Sequence, residues 1–169
     1  MTKTIEQKYK ELSEQEHVLL RPGMYVGSVK PELSTQFVFD YKEQMMVQKE
    51  VEYVPAILKL IDEIISNSTD EYRRPDNIGL TQISVTVMKD NTIVIEDNGG
   101  IPVVKHKEAG IMVPQLIFGR MRTSSNYNDD EDRSGLGTNG VGSSLTNIFS
   151  SYFGVMTDDG KKRWVGNWK

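Results

Sequence analysis

Between Ala56 and Tyr72 the apolar residues Ile57, Leu58, Leu60, Ile61, Ile64 and Ile65 recur with helical spacing, a stripe along one side of a single long helix. Such a helix is stable only when its stripe is covered, so the rest of the chain must supply a second layer. The flanking sequence reads largely as strands. Phe37–Tyr41 and Met45–Tyr53 precede the helix, which Pro55 can start and Arg73, Arg74 and Pro75 end. Ile83–Val87 alternates with the two-residue period of a strand, Lys89-Asp90-Asn91 turns, and Thr92–Glu96 returns as the second arm of a hairpin. A short helix is expected over Val113–Arg120 and another from near Gly142 to about Ser150, before two closing strands, Tyr152–Thr157 and Arg163–Trp168. At the start, Ile5, Tyr9, Leu12 and Val18–Leu20 keep a broken helical spacing, Arg21-Pro22-Gly23 interrupts it, and Met24-Tyr25-Val26 reads as extended. This order of elements predicts an α+β layered sandwich, not a doubly wound parallel sheet.

Several function classes fall away on composition. The chain has no cysteine, which removes disulfides, thiolate catalysis and cysteine-built zinc sites. No window approaches the roughly 20 apolar residues needed to span a bilayer, and the polar N-terminus is no signal peptide. With a formal charge of −4 the chain is a poor non-specific binder of DNA by itself, because phosphate neutralisation needs clustered Lys and Arg. His17 and His106 lie far apart without companion ligands, so both are read as structural.

Three polar clusters remain. On the long helix, Glu63, Asn67 and Asp70 are spaced i, i+4, i+7 and share a face, beside Asp62 and Glu71. A solvated acidic face would give the same spacing. An Asn amide oxygen one turn from a carboxylate also suits Mg²⁺, which takes hard oxygen ligands and keeps waters and phosphate oxygens, with the Glu oriented toward an attacking water. At a strand end, Asp97-Asn98-Gly99-Gly100-Ile101-Pro102 makes a tight loop whose carboxylate can accept from an exocyclic amine and whose glycines let a flat base approach; an ordinary turn has the same composition. Finally, Thr123–Gly142 is a long polar stretch without apolar period, of the kind that often forms a lid. It ends in Gly135-Leu136-Gly137-Thr138-Asn139-Gly140-Val141-Gly142, whose amides, with the following helix start, can hold phosphates. Gly135, Gly137 and Gly140 match the dinucleotide fingerprint literally, but no strand precedes them, and no Gly-Lys-Ser/Thr follows to make a P-loop.

In this order the clusters resemble the Bergerat (GHKL) ATP-binding fold of gyrase B subunits, type II topoisomerases, Hsp90, MutL and histidine kinases. Two further stretches narrow the resemblance to type IIA topoisomerases. Glu16–Ser28, with Arg21-Pro22-Gly23-Met24-Tyr25, is similar to their N-terminal signature. Val113–Gly119, Thr123–Tyr127 and Asn147–Ser150 resemble the eukaryotic branch, while Arg21–Tyr25 and Gly140-Val141-Gly142 look more bacterial or phage-like, a mixture that suits a viral or phage enzyme. The resemblance implies a two-layer sandwich of helices and a mixed, mainly antiparallel sheet, stopping before the fold's last elements. One domain would span residues 1–169, with an arm over 1–28 and an ATP lid over 123–142, and without transducer and DNA-cleavage domains.

It also implies roles for particular residues. Glu63 would be the general base and Asn67 the Mg²⁺ ligand, with Asp70 beside them. Asp97 would read adenine, with Gly99, Gly100 and Ile101 lining its loop. Ser124, Ser125 and Asn126 would contact ribose and phosphates, Arg133 would face phosphate, and Gly137, Asn139, Gly140, Val141 and Gly142 would wrap the triphosphate. The cofactors would be ATP and Mg²⁺, and the partners a second copy of the domain, forming an ATP-dependent gate, and DNA through the full-length enzyme. No membrane contact is implied; the location would be intracellular, cytoplasmic or, in a eukaryote, nuclear. A MutL- or Hsp90-like ATPase, or a nucleotide-responsive module without turnover, is the alternative. Two departures stand out: Gly99 and Gly100 are adjacent where the family has an intervening residue, and Ser134–Gly137 replaces a Gly-Gly pair.

Overall fold

A computed structural model describes residues 4–73, 79–123 and 140–169. Two short helices open the chain, α1 (Ile5–Lys8) and α2 (Glu14–Leu20). The break between them is chemical: Ser13 and Glu16 form a reciprocal capping box, with the Ser13 N–H donating to Glu16 Oε2 at 2.9 Å. The expected extended run at Met24 is instead a 3₁₀ turn over Pro22–Met24. Proline sets its φ, and the amides of Tyr25 and Val26 both donate to the Pro22 carbonyl at 2.9 Å.

The strands pair as three antiparallel hairpins: β1 (Glu32–Asp40) with β2 (Met45–Tyr53), β3 (Ile83–Val87) with β4 (Ile93–Asp97), and β5 (Phe153–Asp158) with β6 (Arg163–Trp168). Between them lie α3 (Pro55–Arg73), α4 (Val113–Gly119) and α5 (Gly142–Phe149). The architecture is α+β, as expected. The boundaries of α3, α4 and α5 fall within a residue or two of their sequence reading, whereas the stretch read from Ile5 to Leu20 splits into α1 and α2, and β1 begins at Glu32 because its partner runs the full length to Tyr53. The residues Arg74 and Pro75, read as ending α3, lie outside the described residues.

The core sits where α2, α3 and α5 meet. Val18, Val26, Ala56 and Leu145 are buried there, and Tyr25, Val54, Leu60, Met121, Val141, Ile148 and Phe149 pack around them. The α3 stripe is covered only in part: Ile57 and Leu58 are exposed, because the first turn of α3 enters the core through Ala56 alone. Polar side chains of α5 satisfy neighbouring backbone. The Ser143 hydroxyl donates to the Ile117 carbonyl at 3.1 Å and the Asn147 amide to Phe118 at 2.9 Å, meeting acceptors that the last turn of α4 leaves free. Thr146 Oγ1 donates to the Leu60 carbonyl at 3.0 Å and so ties α5 to α3. No helix among the described residues is long and apolar enough to cross a membrane.

Candidate functional site

The long helix carries the first group of candidates. Glu63 is half-buried and pairs with Lys59 one turn earlier, an i, i+4 pair that helical geometry favours. Its carboxylate reaches the first residue of α5. A Cβ built on Gly142 would lie 2.8 Å from Glu63 Cδ and would overlap the nearer oxygen. Any larger residue there would displace the Glu63 side chain from this position. Asn67, one turn beyond Glu63, is exposed, with no hydrogen bond to its side chain among the described residues. Asp70, a further turn on, is buried.

The start of α5 supplies the second group. Val141 is its N-cap and provides no side-chain hydrogen bond, so among the described residues no side chain caps the first amides of the helix. That end of a helix attracts anions. Gly140, with φ of +61°, adopts the left-handed conformation that favours glycine. Its carbonyl accepts the Thr123 amide at 2.9 Å, which brings the two flanks of the expected lid together at their base. On the same flank Arg122 pairs with Glu14 at 2.8 Å, linking α2 to this base.

The third group lies at the end of β4. Asp97 is exposed but anchored: Oδ2 accepts the Ser68 hydroxyl at 2.6 Å and Oδ1 accepts the Gly99 amide at 3.0 Å. Gly99 is closely packed: a Cβ there would sit 2.9 Å from Leu80 Cδ1 and 3.2 Å from Asp97 Oδ1, so a side chain would displace one or both. The loop is held from outside as well. Asn98 Oδ1 accepts the amides of Thr81 and Gln82, each at 2.9 Å, and the Ile101 amide donates to Thr157 Oγ1 at 3.1 Å. The adjacency of Gly99 and Gly100 therefore leaves Asp97 with a defined place.

The structure thus brings Glu63 to Gly142 and places Asp97 against α3. Ser124, Ser125, Asn126, Arg133, Gly137 and Asn139 lie outside the described residues. Three contributors were missed from sequence. Lys59 carries a readable i, i+4 signal, whereas Ser68 and Thr146 touch partners 29 and 86 residues away and have none. Among the described residues no three His, Cys, Asp or Glu gather as a metal site. Asn67 fits a different kind of site, in which one amide oxygen joins phosphate oxygens and waters around Mg²⁺. His17 and His106 serve locally, His17 against the Tyr25 hydroxyl at 2.8 Å and His106 accepting the Ala109 amide at 3.1 Å. A hollow of about 400 Å³ lined by Tyr53, Pro55, Leu58, Lys59 and Asp62 lies at the start of α3, and of the site it holds only Lys59.

No family model matches the chain, but individual proteins do. It is 43% identical to DNA topoisomerase 2 of Arabidopsis thaliana over 160 residues, which cover 95% of this chain and 11% of that protein. Among solved structures, the ATPase and transducer domains of DNA topoisomerase II from Balamuthia mandrillaris superpose with a TM-score of 0.92 at 41% identity, covering 99% of this chain and 43% of that one. The ATPase region of Saccharomyces cerevisiae topoisomerase II gives a TM-score of 0.89 at 38% identity, covering 96% of this chain and 43% of that one. The chain spans about a tenth of the length of the curated relatives it matches. These neighbours do not favour a MutL- or Hsp90-like ATPase. By sequence and by fold, the chain belongs with the ATPase regions of the type II DNA topoisomerases.

Proposed function

We propose that residues 1–169 form one ATP-binding and ATP-hydrolysing domain, with an arm over 1–28 and a lid over 123–142, acting as the nucleotide-operated gate of a type IIA topoisomerase. The observation that carries this reading is the meeting of the Glu63 carboxylate with the amino end of α5 across Gly142. A base and a phosphate cradle side by side are what hydrolysis of a bound triphosphate needs.

In this reading the amides at Asn139–Gly142, with Gly137 and Arg133 ahead of them, hold the phosphates, and Ser124, Ser125 and Asn126 the ribose side. Asp97 accepts from the adenine amine, and Gly99, Gly100 and Ile101 leave room for the ring. Glu63 takes the proton of the attacking water, and Lys59 holds that carboxylate in place. Mg²⁺ would be held by the exposed Asn67 amide oxygen, within the polar trio that Asp70 completes, and would neutralise phosphate charge. Ile5, Tyr9 and Leu12 stand exposed along the arm and offer apolar surface to a second copy. Pairing of two copies would close the gate, and the full-length enzyme would supply the contacts to DNA.

The test is calorimetric titration of the chain with a non-hydrolysable ATP analogue, with and without Mg²⁺, beside Asn67→Ala, Asp97→Ala and Glu63→Gln. Saturable, Mg²⁺-linked binding is expected, weakened by the first two changes and kept by the third. Slow turnover with ATP should vanish in Glu63→Gln. A folded chain that binds no nucleotide would overturn the reading.

A further inference from the structure

Ser68 is 7% exposed, and its hydroxyl lies 2.6 Å from Asp97 Oδ2, a contact between the middle of α3 and the end of β4. It is the residue after Asn67, turned about 100° around the helix toward the interior. We propose that Ser68 is a positioning residue for base recognition, setting the Asp97 carboxylate to meet a 6-aminopurine and carrying part of a preference for adenine over guanine nucleotides. The proposal rests on the nucleotide site described above and adds to it the source of its base specificity.

The argument is one of donors and acceptors. An ionised carboxylate only accepts, with about four lone-pair positions. The Gly99 amide takes one on Oδ1 and the Ser68 hydroxyl one on Oδ2, so two donors from separate segments fix the carboxylate plane. Asp97 itself is exposed, so its remaining lone pairs stay open to a ligand. A 6-amino group donates to them, whereas a 6-oxo group sets an acceptor against an acceptor and is rejected.

The serine sharpens this choice beyond steadying the carboxylate. A free hydroxyl rotates and can donate to either kind of ligand. Once its proton is committed to Asp97, the oxygen has only lone pairs left. The hydroxyl then offers no donor to a 6-oxopurine, while the exposed Asp97 carboxylate keeps its acceptors open. Burial keeps bulk water from competing for that proton.

The experiment removes the serine hydroxyl and the ligand's amine in turn. Binding of a non-hydrolysable ATP analogue, of its counterpart lacking the 6-amino group, and of the guanine analogue is measured by calorimetry for the unsubstituted chain, Ser68→Ala, Ser68→Thr, Asp97→Ala and the double variant. Ser68→Ala should weaken the ATP analogue about tenfold, the scale of one hydrogen bond to a charged group, and narrow the preference over guanine. It should change binding of the analogue without the amine by no more than about twofold. Ser68→Thr, which keeps the hydroxyl, should retain the preference, and Ser68→Ala should add nothing in the Asp97→Ala background. Equal weakening of all three ligands, or no change in any, overturns the proposal. A folded, unsubstituted chain that binds none of them overturns the nucleotide site itself, and this inference with it.

Discussion

Glu63 and Gly142 come from positions 79 residues apart in sequence (142 minus 63), yet a single missing methyl group lets them touch. An alanine at 142 would place its Cβ 2.8 Å from Glu63 Cδ and 3.1 Å from Glu63 Cβ, so the side chain would have to swing aside. Gly142→Ala should therefore cost little stability but much activity. Turnover is expected to fall about a hundredfold, the effect of misplacing a reacting group by about an ångström, with a small change in Tm. Steady-state kinetics with thermal melting checks this; unchanged turnover would separate Glu63 from the chemistry. Of these two residues, sequence alone identified both candidates by spacing and by the glycine-rich run. It could not identify their contact, because nothing local relates α3 to α5. Ser68 is the stronger instance: a serine inside a helix carries no periodic or motif signal, and its role follows only from where β4 ends.

Among the elements, the β1–β2 hairpin owes its turn to one carboxylate. Asp40 Oδ1 accepts the amides of Lys42 and Glu43 at 2.9 and 3.2 Å, and Oδ2 takes the Lys49 ammonium at 2.6 Å. The bond from Lys49, followed by the two amides, lowers its pKa from 3.8 to about 2. A carboxylate whose pKa is depressed on folding stabilises the fold above its ordinary value and stops doing so as pH falls through the folded one. The hairpin should thus loosen between pH 3.8 and about 2, seen as a loss of protection against hydrogen exchange, relative to the intrinsic rate at each pH, along β1 and β2. Asp40→Asn should remove that dependence and leave the hairpin looser at neutral pH; an unaltered acid profile would mean other carboxylates govern it. The Asp159 carboxylate is lowered for a similar reason, first by the Val103 amide and then by those of Lys162 and Lys161. It fastens the loop after Asp97 to the β5–β6 turn.

Among the described residues few side chains are fully buried. Leu145 is 2% exposed and joins Val18, Val26 and Ala56, the contributions of α5, α2, the segment after the 3₁₀ turn, and α3. Leu145→Ala should cost about 3 kcal/mol through lost burial and the cavity left behind. Chemical denaturation would measure this, and a loss below about 1 kcal/mol would show that the helices meet elsewhere. Besides sharing this core, α2 is tied to the segment after α4 by the exposed Glu14–Arg122 ion pair. Sequence alone determined the class of fold and the positions of α3, α4, α5 and most of the strands, because periodicity, prolines and glycines act over a few residues and are written locally. Tertiary structure decided the rest. It turned Met24 into a 3₁₀ turn, left Ile57 and Leu58 in solvent, set Glu63 against Gly142, and gave Asp97 its partner in Ser68. Each of these depends on which surfaces meet across many residues of chain, and burial and close approach are properties of that meeting.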